Sequence, residues 1–325
     1  MTAPVRQGII GVAMSQDDES QDAQTASLVA LSLEAVIIAV TDERPRLLLS
    51  SANHPHPAIP SGPLDVEHDI TLERGLRRWV KSLTGFELGY VEQLYTFGGR
   101  DRRLHGGRPL LTVAYLALMH EEQPSPGTAW VDYYDLLPWE DHRGGRPPCL
   151  EGVILPRLKD WAGPNDPRRA RVREAFGVAP MPWDAVRVLE RYELLYEARL
   201  IAEHFADRGI ALPDDLPAGM PLAYDHRRIA ASALGRLRGK LTYRPVVFEL
   251  LPETFTLTQL QRNVETLVGL ALHKQNFRRL VEQGRLVEGT GRYTASTGGR
   301  PAELFRFREE VRGERPRPGL LRPGH

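Results

Sequence analysis

Polar side chains of one kind of chemistry gather near the C-terminus: Lys274, Gln275, Asn276, Arg278 and Arg279. If His273–Gly284 is a helix, Phe277, Leu280 and Val281 form its buried stripe, and Lys274, Gln275, Arg278, Arg279 and Glu282 are exposed. These types suit the groove of a nucleic acid. Arginine grips guanine with two donors, glutamine and asparagine match adenine, and lysine pairs with phosphate. The first residues of such a helix usually reach the bases, and Lys274–Asn276 stand there. Arg292, Ser296, Thr297 and Arg300 lie near the tip of an alternating stretch, Leu286–Thr290 and Glu303–Phe307, where they would meet backbone or minor groove.

These residues need a frame. Thr256 is a suitable cap for a preceding helix, and Leu257, Leu260, Val264, Leu267 and Val268 make its apolar face. Gly269–Leu272 provides the turn. Helix, turn, helix and two strands predict a winged helix-turn-helix over residues 225–311. Such folds also serve protein contacts alone, but the exposed polar set favours double-stranded DNA. Charge agrees. The chain holds 42 basic and 42 acidic residues, yet residues 225–325 carry 19 basic against 10 acidic ones. A basic end on an otherwise acidic chain fits a polyanionic partner at that end.

A second set of cations lies upstream: Arg77, Arg78, Arg100, Arg102 and Arg108 could hold phosphates through charge-assisted hydrogen bonds. Tyr95 or Phe97 could stack on a base. The elements around them mix strands and helix. Leu28–Val40, Arg46–Ser50, Tyr90–Phe97 and Pro109–Met119 read as strands. Asp69–Leu83 reads as a helix, with Leu72, Leu76, Trp79, Val80 and Leu83 on one stripe and Gly85 as its stop. Asn53–Pro63 and Gly98–Arg108 read as loops. Further on, Glu151–Trp161, Asp166–Phe176, Trp183–Asp207 and Tyr224–Leu241 read as helices. Trp183–Asp207 carries enough apolar surface to pack on a neighbour or a second copy. On Tyr224–Leu241 the cations Arg227, Arg228, Arg236, Arg238 and Lys240 fall largely away from the apolar face.

The lone Cys149 leaves no intrachain disulfide or cysteine-rich metal site and suggests a reducing compartment. The longest apolar run, Leu28–Val40, is too short to span a bilayer and contains Glu34, so no membrane is expected and the location is cytoplasmic. Residues 1–25 and 312–325 are expected to be disordered.

The stretch around Asp69–Leu83 resembles a Nudix box. Anchored on Thr84–Phe86, Arg78 and Val80 match it, while its four glutamate positions hold Ile70, Trp79, Ser82 and Leu83. Shifting the upstream loop so that Gly62 takes the first glycine puts His68 at the first glutamate. Hard cations need carboxylate oxygens, so no metal, no catalytic residues and no efficient hydrolysis are expected. Asp65, Glu67 and Asp69 in the loop could hold a metal only weakly. A Nudix frame with a C-terminal winged helix is similar to the Nudix-related transcriptional regulators of NAD metabolism, the NrtR group. The resemblance rests on His226–Ile229, Ala233–Leu241, Leu250–Leu257, Asn276–Leu280 and Gly299–Ala302. The lost acids and the long helical region, with Ser61–Asp65, Gly75–Trp79 and Glu190–Tyr196, are similar to the alphaproteobacterial NadQ type.

The resulting expectation is an α+β protein in three parts: a Nudix-like α/β/α effector-sensing domain (26–142), a helical connector or dimerisation region (143–224), and the winged helix (225–311). The resemblance implies a homodimeric repressor of NAD biosynthesis genes. It binds operator DNA and answers to an adenine nucleotide (NAD, ADP-ribose or ATP) without a required cofactor. The alternative is a Nudix-type hydrolase of ADP-ribose or related dinucleotides with a DNA-binding tail.

Overall fold

The computed structural model describes residues 29–51, 55–98, 102, 108–216, 219–242, 244, 246–294 and 301–308. Arg100, Ser296, Thr297 and Arg300, together with both chain ends, lie outside these residues.

β1 (Ala30–Thr41) is the axis of the N-terminal sheet. It pairs in parallel with β5 (Leu110–Leu118) and antiparallel with β2 (Arg44–Ser50) and β3 (Ser61–Pro63). β4 (Tyr90–Phe97) and β6 (Thr128–Asp132) complete the order β4-β5-β1-β2-β6. The near-continuous apolar run of β1 follows from burial on both faces. Leu33, Ala35, Ile37 and Ala39 pack with Leu76, Trp79 and Val80 of α1 (Leu72–Thr84). Val36 and Ile38 face the other way, into the cluster that holds Ile229, Ala233 and Leu237 of α7 (His226–Leu241). The helix predicted over Asp69–Leu83 begins at Leu72 because Thr71 caps it, accepting from the Arg74 N–H at 3.2 Å, and Gly85 closes it at φ 77°. β3 and β6 carried no readable pattern: one is three residues inside a proline-rich stretch, the other five residues with polar ends.

The middle of the chain is helical: α2 (Tyr133–Leu136), α3 (Leu155–Ala162), α4 (Asp166–Phe176), α5 (Val188–Glu197) and α6 (Ala202–Ala206). The single helix expected over Trp183–Asp207 is in fact α5 and α6, broken where Arg199 takes φ 61°. Ile201 lies nine residues beyond Tyr192, about half a turn around an unbroken helix, yet both are core residues. The break lets the chain bury both. Much of the apolar surface of this region packs within the chain, with Val188, Tyr192, Leu194 and Leu195 in one cluster with α7, while Met181, Val186, Ile210 and Leu212 stay exposed.

The cations of α7 also correct the sequence reading. Arg227, Arg238 and Lys240 are buried rather than solvated. Each meets a carboxylate: Glu203 for Arg227, Glu140 for Arg238 and Glu92 for Lys240. Three of the basic residues counted in the C-terminal excess are therefore buried in ion pairs and unavailable to a polyanionic partner.

Glu140, wholly buried, is the centre of a polar hub. Arg191 of α5 donates to it at 2.6 and 2.8 Å, and Arg238 at 2.5 Å. Arg238 also donates to Leu267 O at 3.0 Å, and Tyr134 donates to Thr266 O at 2.7 Å. Sheet-side, helical and C-terminal parts thus meet at one carboxylate. Burial alone would raise the Glu140 carboxyl, but Arg191 and Arg238 outweigh it and hold the group below its ordinary value. Among the described residues no helix is long and apolar enough to cross a membrane.

Candidate functional site

The C-terminal unit consists of α8 (Leu257–Val268), α9 (Lys274–Gly284) and a hairpin, β7 (Val287–Thr294) with β8 (Ala302–Phe307). Thr256 and Gln259 form a reciprocal capping box at the start of α8. The hairpin is tied to the helices by paired Phe255 and Phe305 backbones and by Phe248 stacked on Phe307 at 4.3 Å. Phe277 and Val281 anchor α9 in the core with Leu260, Val264, Leu267 and Leu286. Lys274, Gln275, Asn276, Arg278 and Arg279 are all exposed. Lys274, Gln275 and Arg278 reach no side-chain partner among the described residues, while Arg279 touches Asn276 at 3.4 Å. Arg292 is exposed on β7. The surface therefore offers unspent donors on a rigid helix, as groove binding requires.

This unit is seated on the N-terminal sheet. The β1–β2 turn, with Asp42 and Glu43 at φ 51° and 58°, meets α8: Arg262 pairs with Glu43 at 2.6 Å, and the Thr266 hydroxyl donates to Glu43 O at 3.2 Å. Gly269, which ends α8 at φ 73°, accepts from the His142 N–H at 2.7 Å. A Cβ there would lie 2.3 Å from the Glu140 carbonyl. The cleft beside this joint, about 340 Å³, is lined by charged side chains such as Glu43, Asp141, Arg143 and Arg262 and carries no aromatic wall for a base.

The residues expected to hold an effector divide into two sets. Arg77 donates to Glu73 at 2.9 Å and to the Leu88 and Gly89 carbonyls, so it fastens the end of α1. Arg78 grips Asp69 through two bonds of 2.8 Å and holds that carboxyl down to about 2. Both guanidinia are spent on local structure on the α1 side of the sheet. Asp65 is likewise engaged by His68, and no metal-holding group of acids and histidines occurs among the described residues. On the other side, Arg102 lies over Phe97, 5.8 Å from its centroid, and meets Thr112, Asp225 and Glu34. Tyr95, 53% exposed, stands edge-on to Phe97 at 6.4 Å. Arg108 is exposed just before β5. The structure brings Tyr95, Phe97 and Arg102 together and leaves Arg77 and Arg78 across the sheet. Asp225 and Glu34 were missed by sequence reasoning, since only the fold carries Asp225 across 123 positions to Arg102.

Where a Nudix box places an acid after its arginine, Trp79 is 6% exposed and lies on Gly62, where an added Cβ would sit 2.6 Å from the indole. That position is filled by an aromatic ring rather than by oxygen ligands.

Residues 247–307 match the family described as the NrtR DNA-binding winged helix domain. The matched segment takes in α8, α9 and the hairpin. The chain is also 39% identical over 88 residues to the ADPR responsive transcriptional repressor NtrR of Acinetobacter baylyi, covering 27% of this chain and 35% of that protein. It thus spans about a third of the length of that curated relative. NrtR of Shewanella oneidensis complexed with a 27mer DNA superposes with a TM-score of 0.58 at 23% identity, over 91% of this chain and 99% of that one. The same NrtR without DNA gives 0.54 at 24% identity, over 87% and 96%. The chain therefore has the NrtR fold, a Nudix-like domain joined to a winged helix.

Proposed function

We propose that this chain is a transcriptional repressor whose grip on operator DNA is set by an adenine nucleotide bound to its Nudix-like domain. The observation that carries this reading is the NrtR-type winged helix with an exposed polar recognition helix, α9, seated through Glu140 and Gly269 on that domain. The ADPR responsiveness in the name of the Acinetobacter relative makes ADP-ribose the first effector to test, with NAD and ATP beside it. The genes controlled are those of NAD biosynthesis. The protein acts as a homodimer whose two α9 helices enter successive major grooves of a palindromic site. The sensor is residues 26–142, the connector 143–224 and the DNA-binding part 225–311. Tyr95, Phe97 and Arg102 supply the base and phosphate contacts.

The Nudix-like domain binds without hydrolysing. Trp79 on Gly62 supports this, because the helix that would carry the metal acids has a ring there instead. ADP-ribose incubated with magnesium or manganese should be recovered intact. Turnover abolished by Glu67→Gln would establish a hydrolase instead.

The test of the regulatory reading is a gel shift on a duplex selected by the protein from a random pool, with and without each nucleotide. Retention that no nucleotide alters would remove the sensor. On the DNA side, Arg278→Ala or Lys274→Ala should weaken operator binding by about ten- to a hundredfold, or ~1–3 kcal/mol, for a base contact. For a phosphate contact the salt slope should fall by about one. Nucleotide affinity should not change. Equal loss of both activities would instead point to a damaged fold.

A further inference from the structure

Asp225 stands at the N-cap of α7, the position where aspartate is among the best residues because its carboxylate accepts from the first-turn N–H groups. Here its side chain makes no capping bond. The carboxylate is committed to Arg102 instead, receiving Nε at 3.0 Å and a second donor, Nη2. The helix thus begins without its natural cap, behind Tyr224, whose φ of 54° is a left-handed conformation that tyrosine rarely adopts.

The two partners are held unequally. Arg102 is fixed by its backbone, which accepts from the Leu110 N–H at 2.9 Å, by the Thr112 hydroxyl, and by Glu34 at 3.9 Å. Glu34 is nearly inaccessible, and its Oε1 lies between Arg102 Nη1 at 3.9 Å and His226 Nε2 at 3.4 Å, so a buried carboxylate backs the cation from within. Asp225 is about a third exposed and belongs to a turn. The movable member is therefore the carboxylate.

We propose that Arg102 is an anion site for a phosphate of the effector, that Asp225 occupies it in the ligand-free chain, and that phosphate displaces the carboxylate. No bond is made or broken; one anion replaces another on the same guanidinium. The released Asp225 turns back to cap α7, completing a second stable arrangement. The two arrangements differ at the start of the helix whose far end carries Arg238, in contact with Leu267 O and Glu140 beneath the winged helix. An exchange at Arg102 thereby reaches the DNA-binding part through one rigid element. This rests on the effector reading above and adds the residue-level contest that regulates it.

The test uses Asp225→Asn in the full chain. Asparagine caps helices as well as aspartate does but cannot neutralise Arg102. By calorimetry, ADP-ribose and inorganic pyrophosphate should each bind this variant about tenfold more tightly than the wild type. Adenosine, which has no phosphate, should bind both alike. Without ligand, the variant's operator affinity should move in the direction that saturating ADP-ribose moves the wild type. If the variant is unstable to heat, Asp225→Ser, also a capping residue, replaces it. Wild-type ADP-ribose affinity in a folded variant would overturn the exchange while leaving the effector reading intact. An equal gain for adenosine would overturn it too. Failure of wild type and variant alike to bind ADP-ribose, NAD, ATP and pyrophosphate would sink both the exchange and the sensor.

Discussion

Glu140→Ala should unfold far more easily than the wild type, losing about 4 kcal/mol, because removing one member of a buried ion pair strands the other charge. Two arginines would be stranded here, since Arg191 and Arg238 are both fully buried and both donate to this carboxylate. Urea unfolding followed by circular dichroism measures the loss. The neutral isostere Glu140→Gln keeps the shape and part of the hydrogen bonding, so its cost should be smaller. The pH dependence has a definite sign. The Glu140 carboxyl is held below its ordinary value of 4.5, so its stabilisation is present above that value. It is lost as pH falls through the lower folded-state value. Acid unfolding of Glu140→Gln should therefore show less loss of stability below about pH 4.5 than the wild type does. An alanine variant within ~1 kcal/mol of wild type would mean that the hub contributes little net stability.

Gly269→Ala should strike both stability and DNA binding. The glycine ends α8 at φ 73°, a conformation that costs a residue with a Cβ about 1 kcal/mol or more. The larger effect is steric: the new Cβ would lie 2.3 Å from the Glu140 carbonyl and 2.7 Å from an Arg238 nitrogen. Either the turn between α8 and α9 moves or the hub opens. A total of roughly 3 kcal/mol and at least a tenfold weaker operator complex are expected. Gly269→Asn separates the causes. Asparagine tolerates the left-handed backbone but carries the same Cβ, so it should be nearly as damaging as alanine. A benign asparagine variant would assign the cost to backbone conformation alone.

Much of this frame was legible in the sequence because its signals are local. The Thr256 cap, the Gly269 stop and the Phe277, Val281 stripe each act within a few residues, and α8 and α9 lie where those signals put them. The same is true of β4, read to its observed ends at Tyr90 and Phe97. What failed was long-range. Arg227 and Arg238 look like surface cations in a helical wheel, and only the fold brings Glu203 and Glu140 to them. The split between α5 and α6 is likewise set by where Ile201 must pack, not by a breaker residue in the sequence. For the effector set, the sequence supplied a pool of arginines but not their faces. The sheet puts Arg78 with Asp69 on one side and Arg102 with Asp225 on the other.

The resulting picture is mechanical as well as chemical. α7 runs from the Arg102–Asp225 pair to the Glu140 hub, and the hub touches the turn that precedes the recognition helix. A ligand that binds the two arrangements of that path unequally shifts DNA affinity, and the same coupling must appear in reverse as a DNA-dependent ligand affinity. The most direct measurement is fluorescence anisotropy of a labelled, protein-selected duplex titrated with the full-length chain, at zero and at saturating ADP-ribose. The expected result is two binding curves displaced by about fivefold or more, with calorimetric ADP-ribose affinity changed by the same factor when the duplex is present. Superimposable curves, with ADP-ribose shown to be bound, would contradict a nucleotide-controlled DNA-binding protein.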